Sequence, residues 1–412
     1  MNHPATTRAR RGSRAALALA TIACLLLSAC VPHRIYNDDP DEYLRSVPLD
    51  DQSGTSADLA VIEFDDHGVF WKIDQLEDTI DLIRRRNAES SSGVLVIVRA
   101  HGWKNNADPD LPDGALARFR DSLAATAKVQ REKGQGALAP DHVIGVFLGW
   151  RGDTSDVPIQ EQFTFWDRRA TAERLVSLNM RETLFRIMSA TKERRESKCF
   201  IVGHSMGGLI VGKTIAPSLT TLLLSNGSTG TRLPVDLVLL QNPALDGLAA
   251  WQLIDFLKRN GATLELRTPD GSSEIAQGPI IASITSEADT ATSAAYPFGR
   301  SLTSMFSAFR TDLAPGAPSQ RHLATHAEGH IPFLVSHTAT VEDGEVVIRP
   351  VPDAWNDTPF WIVRASREIS RDHNDVNNPL YGRLIQEIIR LNRVYDTDVE
   401  TWILSRPTRS PD

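Results

Sequence analysis

The chain has 412 residues, of which 41% are hydrophobic, and a net charge of −8. That content suffices for one large domain with excursions or for two domains. The acidic balance argues against a nucleic-acid partner and against electrostatic adhesion to anionic headgroups, both of which call for a basic surface.

Taken in chain order, the first segment is separate from the body. Arg8, Arg10, Arg11 and Arg14 form a basic stretch, Ala15 to Leu27 an apolar one, and small Ser28 and Ala29 precede Cys30. The apolar run is too short to span a bilayer comfortably and fits a secretory signal over residues 1–29. Leu27-Ser-Ala-Cys30 resembles the lipobox of bacterial lipoproteins, which implies lipidation of Cys30 as the mature N-terminus. An ordinary signal peptide with an incidental Cys30 is the alternative. Val31, where retention in the inner membrane usually needs Asp, makes the resemblance imply a lipid anchor in the outer membrane, facing the periplasm. Removing residues 1–29 leaves 40 basic against 52 acidic side chains. Cys24 lies in the removed segment and Cys30 would carry lipid, so Cys199 has no partner for an intramolecular disulfide despite an oxidising compartment.

Residues 30–57, rich in Asp, Pro and Ser, read as the lipidated cysteine and a flexible tether; residues 58–396 read as the body and 397–412 as a C-terminal tail. In the body, β-rich runs alternate with helical patterns, which predicts an α/β fold with a mainly parallel central sheet flanked by helices. Leu59 to Phe64 and Gly68 to Lys72 read as a first strand or hairpin. Ile73 to Arg86 carries a helical stripe of Ile73, Leu76, Ile80 and Ile83. Val94 to Val98 is a buried strand followed by His101-Gly102-Trp103, Leu116 to Lys128 a helix, and His142 to Leu148 a strand. Ala170 to Met188 reads as one long helix. Strands follow at Phe200 to Val202, Val235 to Leu240, Pro279 to Ile284 and Phe360 to Val363, and Tyr381 to Leu391 closes with a helix.

The stretch Cys199-Phe-Ile-Val-Gly-His-Ser205-Met-Gly-Gly208 carries the chemistry. A short apolar strand meets Gly-His-Ser-Met-Gly and a helical run follows at once, the G-x-S-x-G arrangement of strand, sharp turn and helix that presents a nucleophilic serine. Gly203 and Gly207 remove the Cβ atoms that would collide at such a turn. The Met206 N–H opens the helix and can point at a developing oxyanion.

On these residues the chain resembles an α/β-hydrolase of the serine esterase or lipase type, from about residue 59 to residue 395. The resemblance implies an oxyanion loop at His101-Gly102, with the N–H of Trp103 joining that of Met206; the longer HGGG form is absent. It also implies a triad in the order serine, acid, histidine. Asp289, just past the strand Pro279 to Ile284, is the expected acid; Asp246 is the runner-up and Glu287 shares the loop. His373, between the last strand and the last helix, is the expected base, with His337 second. Acyl transfer through Ser205 then needs no metal or organic cofactor, and its partner is a small-molecule or lipid ester. An amidase, peptidase or thioesterase could use the same triad, and a catalytically silent envelope scaffold is the reading from another class.

His322, His326 and His330 recur at helical spacing, but the Glu of H-E-x-x-H is absent and Gly329 and Pro332 weaken a helix, so a loop near the active site is preferred to a metal site. Insertions at about 150–170 and 290–358 read as loops or a lid. Their aromatics Trp150, Phe163, Phe165, Trp166, Tyr296, Phe298 and Phe306 offer apolar surface for an acyl chain. Acyl length, natural substrate and oligomeric state are not legible.

Overall fold

Runs rich in Val, Ile and Leu become strands buried on both faces, which a helix-covered parallel sheet requires. The computed structural model describes residues 33–48, 57–133, 140, 142–154, 161–225, 231–232, 234–268, 272–297, 300, 307–310, 313–393 and 401–405. Its strands are β1 (Leu44–Val47), β2 (Ala57–Glu63), β3 (Val94–Ala100), β4 (His142–Gly149), β5 (Lys198–His204), β6 (Thr231–Arg232) and β7 (Leu237–Gln241). There follow β8 (Thr263–Arg267), β9 (Ser273–Ile275), β10 (Ile281–Ser286), β11 (His337–Glu342), β12 (Glu345–Pro350), β13 (Phe360–Ala365) and β14 (Thr401–Ser405). The principal helices are α1 (Asp74–Glu89), α2 (Ala115–Lys133), α3 (Glu161–Leu175), α4 (Leu178–Lys192), α5 (Met206–Ser225), α6 (Gly247–Arg259) and α7 (Pro379–Leu391).

Ten strands form one sheet in the order β1-β2-β4-β3-β5-β7-β10-β13-β11-β12. From β2 to β11 every neighbouring pair is parallel, and only the outermost strands, β1 and β12, pair antiparallel. The protein is therefore an α/β protein with a largely parallel central sheet. After β3 the chain moves outward to β4 and then returns to the other side of β3 as β5, so the strand order reverses between β3 and β5. The crevice at the carboxyl ends beside such a reversal is where open α/β sheets bind ligands.

Alternation along β3 shows how the two faces are covered. Val94, Val96, Val98 and Ala100 join a core with Ile80 and Ile83 of α1, Leu184 of α4 and Leu209 and Ile210 of α5. Leu95 enters the opposite core with Phe119 and Leu123 of α2 and Leu384 and Ile388 of α7. Helix α5 is long and apolar enough to cross a membrane by length and composition, but its Leu209, Ile210, Val211 and Ile215 are fully packed in the core.

Four sequence expectations need correction. The long helix expected over Ala170 to Met188 is two helices, α3 and α4. Ser177 separates them, because its Oγ accepts the Met180 N–H as an N-cap and donates to the Gly68 carbonyl at 3.0 Å. Part of the expected tether is packed: β1 pairs with β2, and the buried Asn37 donates its N–H to the Glu63 carboxylate at 2.8 Å. The 290–358 insertion is not only a lid, since β11 and β12 extend the sheet through a tight hairpin at Asp343-Gly344, both with positive φ. Such a turn favours the Asp-Gly pair. The expected tail contributes β14, which pairs with β6 and β8 in a small antiparallel sheet completed by β9. Residues 1–32, including Cys30 and the signal segment, lie outside the described residues.

Candidate active site

Ser205 is held by the turn between β5 and α5 with φ of 55°, a left-handed conformation that a serine adopts only at a cost. Its N–H donates to the Gln241 carbonyl and its carbonyl accepts from Ala244, both at 2.9 Å, so the strained turn is tied to the end of β7. Glycine is obligatory around it. A Cβ on Gly203 would meet the Gly207 carbonyl oxygen at 2.5 Å, and one on Gly207 would meet the Ala100 carbonyl oxygen at 2.1 Å. Gly102 is equally constrained, since its Cβ would lie 2.8 Å from the Ser205 Cβ.

The structure brings Ser205, His373 and Asp289 together. Ser205 Oγ is 2.9 Å from His373 Nε2, and His373 Nδ1 is 2.9 Å from Asp289 Oδ2. The three side chains come from segments after β5, β13 and β10, all at the carboxyl edge of the sheet. Asp289 is fully buried. Burial works against its ionisation, but hydrogen bonds from His373 and Thr292 outweigh it and hold the carboxyl below its ordinary range. Thr292 donates its N–H to Asp289 Oδ1 at 3.1 Å and its hydroxyl to Oδ2. His330 Nε2 lies 2.8 Å from the same Thr292 hydroxyl. An ionised, immobilised carboxylate fixes the tautomer that leaves His373 Nε2 free to accept from the serine.

Sequence reasoning did not find Thr292, nor the two groups that hold the His373 loop. His204 Nε2 donates to the His373 carbonyl at 3.0 Å, and Asn242 Nδ2 donates to the same oxygen at 2.9 Å. Burial first, and then the charges of His373 and Arg99, bring His204 down to about 3, so the ring is neutral with its proton on Nε2. Asn242 has a positive φ of 42°, at the end of a strand, a turn position that asparagine tolerates. The sequence signal was available only for His204, the variable residue of the Gly-His-Ser turn.

The His101-Gly102-Trp103 loop follows β3 and abuts the serine. His101 stacks between Phe147 and Trp150, each with ring centroids at 5.3 Å. Its Nδ1 donates to the Gly102 carbonyl at 2.9 Å and its Nε2 accepts the Trp150 N–H at 3.2 Å. Burial brings it down to about 4, so it too is neutral and serves to brace the loop. Lys104 N–H bonds to the Gly152 carbonyl at 3.0 Å and Gly152 N–H to the Asn105 carbonyl at 2.9 Å, tying the loop to the segment after β4. Met206 is the first residue of α5, so its N–H has no intrahelical acceptor.

The remaining candidates lie elsewhere. Asp246 caps α6 through the Ala249 N–H and faces Lys213 at 3.5 Å and Arg169 at 3.8 Å, so its carboxylate is already engaged. Glu287 is half exposed beside Arg364. His337 stacks on Trp361 at 3.7 Å and burial brings it down to about 4. His322 and His326 stack at 3.9 Å, and no group of three or more metal-ligating side chains occurs among the described residues.

A cavity of about 1420 Å³ opens over Ser205 and His373. Phe165, Trp166 and Tyr296 form an aromatic wall, whereas Trp150 is spent on bracing His101. The side chain of Phe163, and Phe298 and Phe306, lie outside the described residues. Comparisons with protein-family models, with curated proteins and with solved structures returned no match. The class that fold and geometry define is an α/β protein with a Ser-His-Asp hydrogen-bonded chain at a strand-order reversal.

Below this site a second buried acid bears on stability. Burial, reinforced by the charge of Asp246, pushes Glu328 up to about 8. As pH rises from about 4.3, the unfolded chain releases this proton while the folded protein keeps it, so stability falls progressively up to about pH 8. Glu328→Gln abolishes that dependence. Thermal melts should show the variant gaining on the wild type by about 5 °C more at pH 8 than at pH 5.

Proposed function

We propose that the protein is a serine hydrolase of the α/β-hydrolase type that cleaves carboxylic esters through an acyl-enzyme on Ser205. The observation that carries this reading is the unbroken chain from Ser205 Oγ through His373 to buried Asp289, with 2.9 Å at each link. His373 Nε2 takes the hydroxyl proton as Ser205 attacks the ester carbonyl. The tetrahedral oxyanion is held by the N–H groups of Trp103 and Met206, and the imidazolium is balanced by Asp289. Collapse expels the alcohol with the proton from His373, and water activated by the same ring releases the acid. Labelling with a fluorophosphonate and hydrolysis of 4-nitrophenyl esters test the reading, and a protein inert to both would be a binding scaffold.

The same triad serves amide or thioester cleavage, and the preference for esters rests on the family resemblance. The N-terminal pattern supports a bacterial envelope protein tethered by lipid at Cys30. Cys30→Ser should move the protein to the soluble fraction or leave it as precursor, while the catalytic body keeps its activity. Metabolic labelling with a fatty-acid analogue and membrane fractionation read this out; equal labelling and retention in both proteins would remove the anchor.

A further inference from the structure

The cavity over Ser205 carries two cations that acyl transfer does not use. Arg99 is the penultimate residue of β3, Arg118 stands in the first turn of α2, and both line the cavity. Alternation along β3 turns Arg99 to the side of Leu95, toward α2, and away from the core that takes Val98 and Ala100. Its Nη1 donates to the neutral Gln241 Oε1 at 3.1 Å. Arg118 donates to Asn105 Oδ1 at 3.1 Å and to the main-chain oxygen of Asp113. Among the described residues neither guanidinium forms an ion pair with a carboxylate.

Most other arginines at comparable depth are matched by acids. Arg168 meets Asp66, Arg169 meets Glu173, and Arg86 meets Asp58. Arg99 has the Gln241 amide instead. Burial first, and then the like charge of Arg118, brings it down to about 10, which leaves it protonated at neutral pH. Two guanidiniums that line one cavity with only neutral hydrogen-bond partners offer a charge that an entering anion can meet. Asp113 and Asp153 also reach the cavity, as does Lys104, so its charged lining is three cations against two carboxylates in an otherwise acidic chain. The aromatic wall of Phe165, Trp166 and Tyr296 supplies the apolar lining.

We infer that the cavity takes an ester in which one arm ends in a carboxylate, held by Arg99 and Arg118 while the ester carbonyl sits at Ser205. The reach is short. Gly102 abuts Ser205, and three residues of chain separate it from Arg99, a span of at most about 10 Å. A planar carboxylate matches the guanidinium fork of Arg99. The ester part of this inference rests on the hydrolase reading above; the anion site does not.

The experiment uses two anionic esters, because the carboxylate can sit on either arm. Mono-4-nitrophenyl glutarate is compared with 4-nitrophenyl butyrate, and 4-carboxyphenyl butyrate with its methyl ester. At least one anionic probe is expected to exceed its neutral counterpart about tenfold in kcat/KM. That ratio should fall toward unity in Arg99→Gln, fall partly in Arg118→Gln, and largely survive in Arg99→Lys. Glutarate titrated into Ser205→Ala by calorimetry should bind, and should bind about tenfold more weakly once Arg99→Gln is added. Hydrolysis of all four esters without charge preference, and glutarate binding indifferent to Arg99, overturns the anion site and leaves the hydrolase standing. Arg99-dependent glutarate binding with no ester turned over keeps the anion site and removes the hydrolase. Should Arg99→Gln not fold, Arg118→Gln at the exposed end of the pair decides, and an unchanged ratio and unchanged glutarate affinity there overturn the inference.

Discussion

Ser205→Ala is expected to lower ester turnover by about a millionfold and to abolish fluorophosphonate labelling. The effect is this large because every covalent step of the proposed mechanism passes through one oxygen, which lies 2.9 Å from His373 Nε2. Folding should survive. The change removes a hydroxyl, while the main-chain bonds of Ser205 to Gln241 and Ala244 that fix the turn remain. The left-handed φ of 55° is no worse for alanine than for serine. The measurement is turnover and labelling of a variant whose melting temperature matches the wild type. Retained turnover in such a protein would falsify the acyl-enzyme mechanism.

Asp289→Asn is expected to cost about ten-thousandfold in kcat. An amide in place of Oδ2 can present a donor to His373 Nδ1, which favours the tautomer with its proton on Nε2, where it can no longer accept from Ser205. The amide also forfeits the charge that balances the imidazolium. The Thr292 N–H bond to Oδ1 should survive and keep the side chain in place, although the Thr292 hydroxyl can no longer donate to the position of Oδ2, so the loss falls on kcat. Asp246→Asn serves as the contrast. That carboxylate caps α6 and faces Arg169 and Lys213, so its loss should lower the melting temperature more than kcat. A crippled kcat in Asp246→Asn beside a near-normal Asp289→Asn would reassign the acid.

Much of the fold class was legible because its signals are local. Val94 to Val98, His142 to Leu148 and Pro279 to Ile284 are apolar runs bounded by turns, and they become β3, β4 and β10 within a few residues. Where a boundary depended on a distant partner the sequence misled. Nothing within Ala170 to Met188 announces that Ser177 will bond to Gly68, more than a hundred positions earlier, and break the helix. The hairpin of β11 and β12 is a different failure, since Asp343-Gly344 was a readable turn signal that the length of the 290–358 interval obscured. For β14 there was only a five-residue run whose neighbours, β6 and β8, lie far back in the chain.

The elbow could be read from sequence because strand, glycines, serine and helix are contiguous, and the steric exclusion at Gly203 acts against Gly207, four residues on, although that at Gly207 acts against distant Ala100. Asp289 and His373 were reachable by their order after particular strands, although spacing alone could not say that both would converge on Ser205. Convergence is a property of the parallel sheet, which delivers the ends of β5, β10 and β13 to one edge. The roles of Thr292, His204, Asn242 and Arg99 went unread for a related reason. Their meaning lies in what they touch or fail to touch across the fold: the Asp289 carboxylate, the His373 carbonyl, the neutral amide of Gln241. Sequence by itself determined the sharp turn at Ser205 and the alternation of strands and helices, since both follow from short-range sterics and periodicity. Tertiary packing decided which acid meets the histidine and which guanidiniums line the cavity outside any ion pair, since those depend on distances between segments far apart in the chain.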